Sequence, residues 1–453
     1  MSKQTSSVPS LDESLQRKSE GDIENPAGPE KQAHIPAADT DPEPVNPWHP
    51  SQFPDGGRDA WLCLLGSFCC LFCSFGWLNC VGVFQSYYQT HQLSQYSPST
   101  IAWISSCQIF VMFFPGPIVG LVYDNYGPRY LLFFGTFFHV FGIMMTSLCE
   151  EYWQFILAQG ICSPLGLNCI FNAGTNTITT WFFKKRGAAF GMMAAGSGLG
   201  GVIFPIMASH LIPQVGFGWT MRICAFLILA LLGVAILTVR SRLPPRPRAF
   251  ELRVFAEPFS DLRFILVTIS SFFFFMGLFI PINFIELIGL ANGMSSRLAN
   301  YLLAVLNAAR YVIFGRIVPG ILADKFGRYN MQLIMSFFAA ILVLGLALPA
   351  SSNAAIISFA GLYGFASGAY VSLAPAQIAH ISKVEQIGVR MGVLFSVVSF
   401  AGLAGNPIAG AIVARDHGYD NATIFSGVLL LAGAILFTIT RMYLAGWKIF
   451  VRI

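Results

Sequence analysis

Charge is what this chain has least of. Asp, Glu, Lys and Arg make up 11% of its 453 residues, against about 25% in a soluble globular domain. That shortage excludes an ordinary water-soluble enzyme. Cysteine is absent outside Cys63 to Cys224, and nearly all ten cysteines lie within apolar runs. This excludes a disulfide framework and the paired CxxC spacing of a structural zinc site. There is no phosphate-binding loop, no Ser/His/Asp order and no paired-carboxylate site. Gly196-x-Gly198 has no strand before it and is no dinucleotide fingerprint. No enzymatic activity, cofactor or metal is therefore expected. The 27 Lys and Arg, which leave a net charge of +5, form no basic stripe, so a nucleic-acid partner is excluded as well. The N-terminus holds no basic start followed by an apolar run, so no signal peptide is expected.

Apolar residues are abundant. Hydrophobic side chains reach 55%, with 42 Phe, and mean hydropathy is +0.62. The expected solvent is lipid. Residues 1–59 are the exception, with 11 Asp/Glu against 5 Lys/Arg and almost no aliphatic periodicity, so they read as a disordered tail. From Trp61 onward, runs of about twenty apolar residues recur, the length that crosses a hydrocarbon core of ~30 Å. Twelve are expected, at 60–85, 101–123, 130–148, 154–180, 187–212, 219–239, 264–290, 300–322, 331–349, 354–379, 390–414 and 423–444. Only a helix satisfies every backbone group within one span in lipid. The fold class is thus an all-α membrane protein of twelve transmembrane helices.

The longest inner loop, 240–263, divides the spans into halves at 60–239 and 264–444, with a tail at 445–453. With the N-terminus inside, inner loops and C-terminal tail carry 16 Lys/Arg and outer loops only Arg297 and Arg415. That bias places both termini in the cytoplasm, here of a cell-membrane protein. The one glycosylation sequon, Asn421-Ala422-Thr423, falls in an outer loop. The halves repeat. Gly120-Leu-Val-Tyr-Asp124-Asn-Tyr-Gly127-Pro-Arg129 follows span two, and Gly320-Ile-Leu-Ala-Asp324-Lys-Phe-Gly327-Arg328 follows span eight, 200 residues later. Arg186 before Gly198-Leu-Gly-Gly201 is echoed by Arg390 before Gly402-Leu-Ala-Gly405. Two pseudo-symmetric six-helix halves are the mark of a transporter that rocks about a midplane site.

These twin loops resemble those of the major facilitator superfamily, over residues 60 to 444. Pro54-Asp-Gly-Gly57 and Trp181-Phe-Phe-Lys-Lys-Arg186 resemble the monocarboxylate porter family. Gly76-Trp-Leu-Asn-Cys-Val-Gly-Val-Phe-Gln-Ser-Tyr-Tyr88 and Asn307-Ala-Ala-Arg-Tyr-Val-Ile-Phe-Gly-Arg316 resemble its fungal branch. That branch includes carboxylate carriers, a riboflavin carrier and exporters of secondary metabolites. The resemblance implies alternating access, with Asp124 and Asp324 locking the inner face and Gly127 and Gly327 turning the chain so that Arg129 and Arg328 are presented there. Two positions depart. The family's animal members carry a Lys in span one where Asn79 stands, and an Asp four residues before the Arg matched by Arg316, where Val312 stands. Their lactate-and-proton mechanism does not carry over intact.

An Arg at mid-membrane costs about 2.5–3.5 kcal/mol on insertion scales, so Arg310 is expected to face the bundle interior and bind an anionic group or act as a coupling partner, in a pair with Glu286 among the possibilities. The structural alternative is a hub for backbone carbonyls. Arg316 lies on another face and joins either the coupling machinery or the inner gate. Glu286, the only carboxylate within a predicted span, is a candidate proton carrier, or simply reaches water. Asn168, Asn172 and Asn176 place three amides on one face of span four, for substrate or for helix–helix adhesion. The expected substrate-facing residues are Asn79, Asn172, Asn283, Arg310 and Tyr370. The span-five glycines read as packing, Arg222 as an interfacial anchor, and the span-one cysteines as filler. His139 reads as packing and His380 as an inner helix end. The functional expectation is a secondary transporter of a small to medium, anionic organic molecule, leaning to export of a secondary metabolite. Proton-linked import of monocarboxylates and a transporter-like nutrient receptor are the alternatives.

Overall fold

The computed structural model describes residues 52–453 apart from 245–250, 252, 312–314, 417, 448–450 and 452–453. A few helical side chains, that of Arg310 among them, also lie outside the described ones. Everything described belongs to the compact unit Asn46–Ile453. In chain order the helices are α1 (Arg58–Thr90), α2 (Trp103–Tyr126), α3 (Pro128–Thr146) and α4 (Tyr152–Trp181). A 53-residue helix, Arg186–Thr238, follows. Next come α7 (Leu262–Ala291), α8 (Ser296–Tyr311, then Ile317–Phe326), α9 (Arg328–Ala347), α10 (Asn353–Ile381), α11 (Val384–Arg415) and α12 (Asp420–Ala445).

Among the described residues ten helices are long and apolar enough to cross a membrane, yet twelve spans were expected. Both differences are local. At 1.5 Å per residue the 53-residue helix would be ~80 Å long, more than two hydrocarbon cores. It breaks at Gly216, whose φ of 80° is a left-handed conformation that glycine adopts without strain. It is two spans, α5 (186–215) and α6 (217–238). The pieces of α8, of 16 and 10 residues, are each too short alone.

Sequence chemistry fixes the ends. Ser97 caps the helix that starts at Pro98, and Ser352 caps α10, each accepting a backbone N–H. The twin-loop glycines, Gly127 at φ 77° and Gly327 at φ 102°, stop α2 and α8 and start α3 and α9. α3 turns Phe133, Phe134, Phe137 and Phe141 outward, as a lipid-facing helix does. Helices cross closely where glycine removes the side chain. α1 meets α5 at Gly76 and Gly200, α3 meets α4 at Gly135 and Gly166, and α7 meets α12 at Gly277.

Both ends of the described chain meet one end of the bundle. Asp55 N–H donates to Trp181 O at the end of α4, and Asn330 Nδ2, at the start of α9, donates to Val451 O. Lys184, Lys185, Arg186, Arg240 and Arg242 gather there, so it is called the basic end below. The tail reading to residue 59 needs correction at its edge. Phe53 is buried, packs tilted against Phe183 with centroids 5.6 Å apart and lies under the Arg242 guanidinium at 4.8 Å. The rest of the tail expectation falls outside the described residues. The central loop carries two short helical turns, Arg253–Ala256 and Glu257–Ser260.

Candidate functional site

The twin motifs do the same thing twice. Asp124, near the end of α2, accepts Gly388 N–H at 3.1 Å and Val389 N–H at 3.0 Å. Asp324, near the end of α8, accepts Gly187 N–H at 2.8 Å and Ala188 N–H at 2.7 Å. Each carboxylate caps the first turn of a helix in the opposite half, α11 for Asp124 and α5 for Asp324. Unsatisfied N–H groups and the helix dipole both favour an anion there. The helices come that close because glycines face each other. A Cβ on Gly120 would meet Gly388 O at 2.1 Å, and one on Gly320 would meet Gly187 O at 2.4 Å.

Arginines reinforce the second lock. Arg328 pairs with Asp324 at 3.5 Å and donates from Nη2 to Phe183 O at 2.9 Å in the other half. Arg186, 1% exposed, donates to Phe182 O and Thr179 O within its half and to Ala379 O of α10 at 2.9 Å. It bridges the two halves, a role the sequence did not reveal. Arg129, expected at the matching place of the first lock, is exposed beside the turn at Gly127, while its repeat partner Arg328 lies against Asp324. Arg316 is buried against α5, donating to Ala194 O and Ser197 Oγ, which ties α8 to α5 across the two halves.

An aromatic layer lies deeper between the halves. Phe113 of α2 packs on Phe75 of α1 and Phe171 of α4, and across the halves on Phe275 of α7 and Phe395 of α11, with centroids 5.4 to 6.2 Å apart. Tyr370 of α10 joins through Phe274 and Phe275. Phe75, Phe113, Phe171, Phe275 and Phe395 are all buried. None was singled out from the sequence, where Phe is everywhere. The face of α7 that carries Phe275 becomes accessible away from the basic end. Phe279, Asn283 and Glu286 keep within about 80° of it at ~100° per residue. Along them burial gives way to a partly buried Phe279, an exposed Asn283 and a half-buried Glu286. On α1, Asn79 follows Phe75 by one turn and is partly exposed, donating to Phe75 O.

Four of the five expected substrate-facing residues can be placed. Tyr370 packs in the aromatic layer, Asn79 borders it at Phe75, and Asn283 is exposed two turns beyond Phe275 along α7. Asn172 does not face open space. It is 3% exposed and donates to Asn168 O and Oδ1, while Asn168 donates to Met112 O of α2 and Asn176 to Asn172. The amide stripe spends most of its bonds on itself and on α2, the adhesion reading. The side chain of Arg310 lies outside the described ones. His139 is buried on Ser163 and His380 contacts Arg328. Arg222 donates to Ser147 and covers Trp219. The ten cysteines are free. Asn421 sits in the first turn of the last helix, with Thr423 buried.

A helical bundle with a repeated Asp-to-helix lock at one end and an aromatic layer between its halves defines a transporter that works by alternating access. Comparison with known proteins agrees. The family model "Major Facilitator Superfamily" matches residues 66–362 and 267–447. The chain belongs to that superfamily. "MFS-type transporter 1" of Ophiocordyceps sp. is 55% identical over 90% of this chain and 90% of its own. The "Fujikurins efflux protein" of Gibberella fujikuroi is 45% identical over 86% of this chain and 84% of its own. Among solved structures, the superfamily transporter FucP in the outward conformation superposes with a TM-score of 0.68 at 13% identity, over 84% of this chain and 99% of that one, which shows the shared fold. The protein is a multi-pass membrane transporter, not an enzyme.

Proposed function

We propose that this transporter exports a medium-sized organic secondary metabolite from the cytoplasm, across the cell membrane. The observation that carries the reading is the aromatic layer contributed by both halves, which suits a ring-bearing cargo, together with the efflux naming of relatives such as the fujikurins protein. Asn79, Asn283 and Tyr370 supply polar contacts around the rings, and Arg310 a cationic partner for an anionic group of the cargo. The motifs before α1 and α5 support a place in the fungal branch of the monocarboxylate porter family. The basic end is cytoplasmic, by the Lys/Arg bias. Asp124, Gly127, Asp324, Gly327 and Arg328 form the inner gate, closed in this structure, and Glu286, on the accessible face of α7, carries the coupling proton. A glycan on Asn421 requires the first turn of α12 to open, and a glycosidase mobility shift tests it.

Deleting the gene in its host tests the function. Export predicts that an aromatic-ring metabolite accumulates inside the cells and that growth on lactate or pyruvate is unchanged. Lost growth on those acids without metabolite retention would instead establish an importer. Arg310 is tested by equilibrium binding of the retained metabolite. Arg310→Ala should weaken binding about tenfold or more for an anionic cargo, because a charge-assisted bond is lost. Arg310→Lys should restore it only in part if the contact is a planar fork. Parent-like binding and transport by Arg310→Ala would remove Arg310 from the site.

A further inference from the structure

We infer that Asp55 is a third latch of the basic-end gate, carried on the strap that leads into α1 and not on the gate helices. The inference rests on the gating reading of Asp124 and Asp324. Its own evidence is separate.

Asp55 repeats the chemistry of those two aspartates. Its Oδ1 accepts Phe183 N–H at 2.8 Å and Lys185 N–H at 3.1 Å, while its own N–H donates to Trp181 O at 3.2 Å. The carboxylate thus holds the loop between α4 and α5. Among the described residues it is the one non-glycine with positive φ, at 47°. A non-glycine in that region persists where the surroundings over-determine it, and such positions cluster at clamps and switches. Gly57, at φ 89°, completes the turn into α1.

The loop that Asp55 holds is the place where the opposite half grips this one. Phe183 gives its N–H to Asp55 and its carbonyl to Arg328. Arg328 pairs with Asp324, which caps α5 two residues beyond the loop. Arg186 ends the same loop and reaches Ala379 O. The strap is pinned from its other side. Phe53 lies under Arg242, and Arg242 donates to Thr180 O at 3.0 Å. A continuous set of bonds therefore runs from the strap through the 182–185 loop to Arg328 and α8. Without the Asp55 carboxylate, two loop N–H groups lose their acceptor and Phe183 O is no longer held toward Arg328. The closed basic end is weakened from a residue that touches neither gate helix of the other half. This makes Asp55 a positioning residue for alternation. It also explains why Pro54-Asp-Gly-Gly57 and Trp181-Phe-Phe-Lys-Lys-Arg186 occur in one chain, since they are two sides of one joint.

Full-length protein in lipid nanodiscs tests the latch, with maleimide as the probe. Gln377→Cys reports from a fully buried site of α10 near the Arg186 bridge, and Asn283→Cys from the accessible face of α7. Each reporter is measured against the same protein without it. Asp124→Asn is the benchmark and should speed labelling at 377 and slow it at 283. Asp55→Ala should do the same, with about a tenfold faster rate at 377, as the loss of charge-assisted bonds allows. Asp55→Asn, which keeps one acceptor oxygen, should fall between. The reciprocal change is the decisive readout, because local fraying raises labelling at 377 alone. If Asp124→Asn gives the reciprocal change and Asp55→Ala lowers only the melting temperature, or moves 377 alone, the latch is overturned. If neither gives it, the gating reading falls and the latch with it.

Discussion

Gln377 in α10 is fully buried and its side-chain amide bonds no other group of the protein, and the same holds for Asn176 Oδ1 in α4. Each lies close to the Arg186 bridge, which takes Thr179 O on one side and Ala379 O on the other. A buried polar group left without any partner costs about 1–3 kcal/mol, so an amide that finds a partner only when the basic end opens would favour opening. Gln377→Leu removes the cost at similar size. Thermal unfolding should show a parent-like or higher melting temperature, while transport slows because the open state loses a partner it hydrates or binds. A lower melting temperature with unchanged transport would show that the amide is structural. These residues illustrate what the sequence conveyed and what it did not. The twin aspartates were legible because a motif repeated 200 residues apart is improbable without a shared role. The Arg186 bridge was not, since nothing local distinguishes a buried Arg from one of a basic loop. Asn172 misled because three amides on one helical face suit a cavity and a self-bonded ladder equally well.

The helices themselves were largely readable, because the width of lipid sets a window of about twenty residues that no soluble core imposes. What that window cannot carry is which face meets which neighbour. The aromatic layer emerges only when α1, α2, α4, α7 and α11 are brought together, and α2 and α11 were absent from the expected lining. Glycine spacing held more of that information. Gly116 and Gly120 face Gly392 and Gly388 across the halves, and Gly187 and Gly191 face Gly320 and the backbone of Arg316. Gly120→Val should therefore prevent α2 and α11 from meeting while leaving the helices formed. Overpacking of this kind costs about 1–3 kcal/mol or more. Transport should be lost, with near-normal helical content by circular dichroism and the basic end open to labelling. The start of α7 offers a pH handle. Asp261 caps the helix and pairs with Arg263 at 2.9 Å and Arg390 at 3.2 Å. Burial pushes its carboxyl pKa up, but the bonds from Arg263 and Arg390 outweigh it and hold it below the usual range. Its contribution is present above the ordinary carboxylate pKa and is lost as pH falls through the depressed value. The parent should lose more melting temperature than Asp261→Asn between pH 5 and strongly acid solution, and equal losses would remove Asp261 from the account.

At the scale of the whole molecule, two locks related by the internal repeat bear on one equilibrium, that between closed and open basic ends. A bias acts on a two-state equilibrium only through its differential free energy, so independent biases on the same equilibrium add and their effects on its constant multiply. Asp124→Asn and Asp324→Asn each weaken an anion at a helix N-terminus, a loss of about 1 kcal/mol or a fivefold shift. The double variant should then shift the equilibrium about twenty-five-fold, as distant sites without shared partners allow. The two should not be equal. Asp324 has the shorter bonds, 2.8 and 2.7 Å against 3.1 and 3.0 Å, and it also pairs with Arg328 at 3.5 Å. Asp324→Asn should be the larger. Labelling of Gln377→Cys in the two single variants and the double measures all three shifts. If the double variant shifts no further than the stronger single one, the locks do not share an equilibrium, and the halves do not rock as rigid bodies about the aromatic layer.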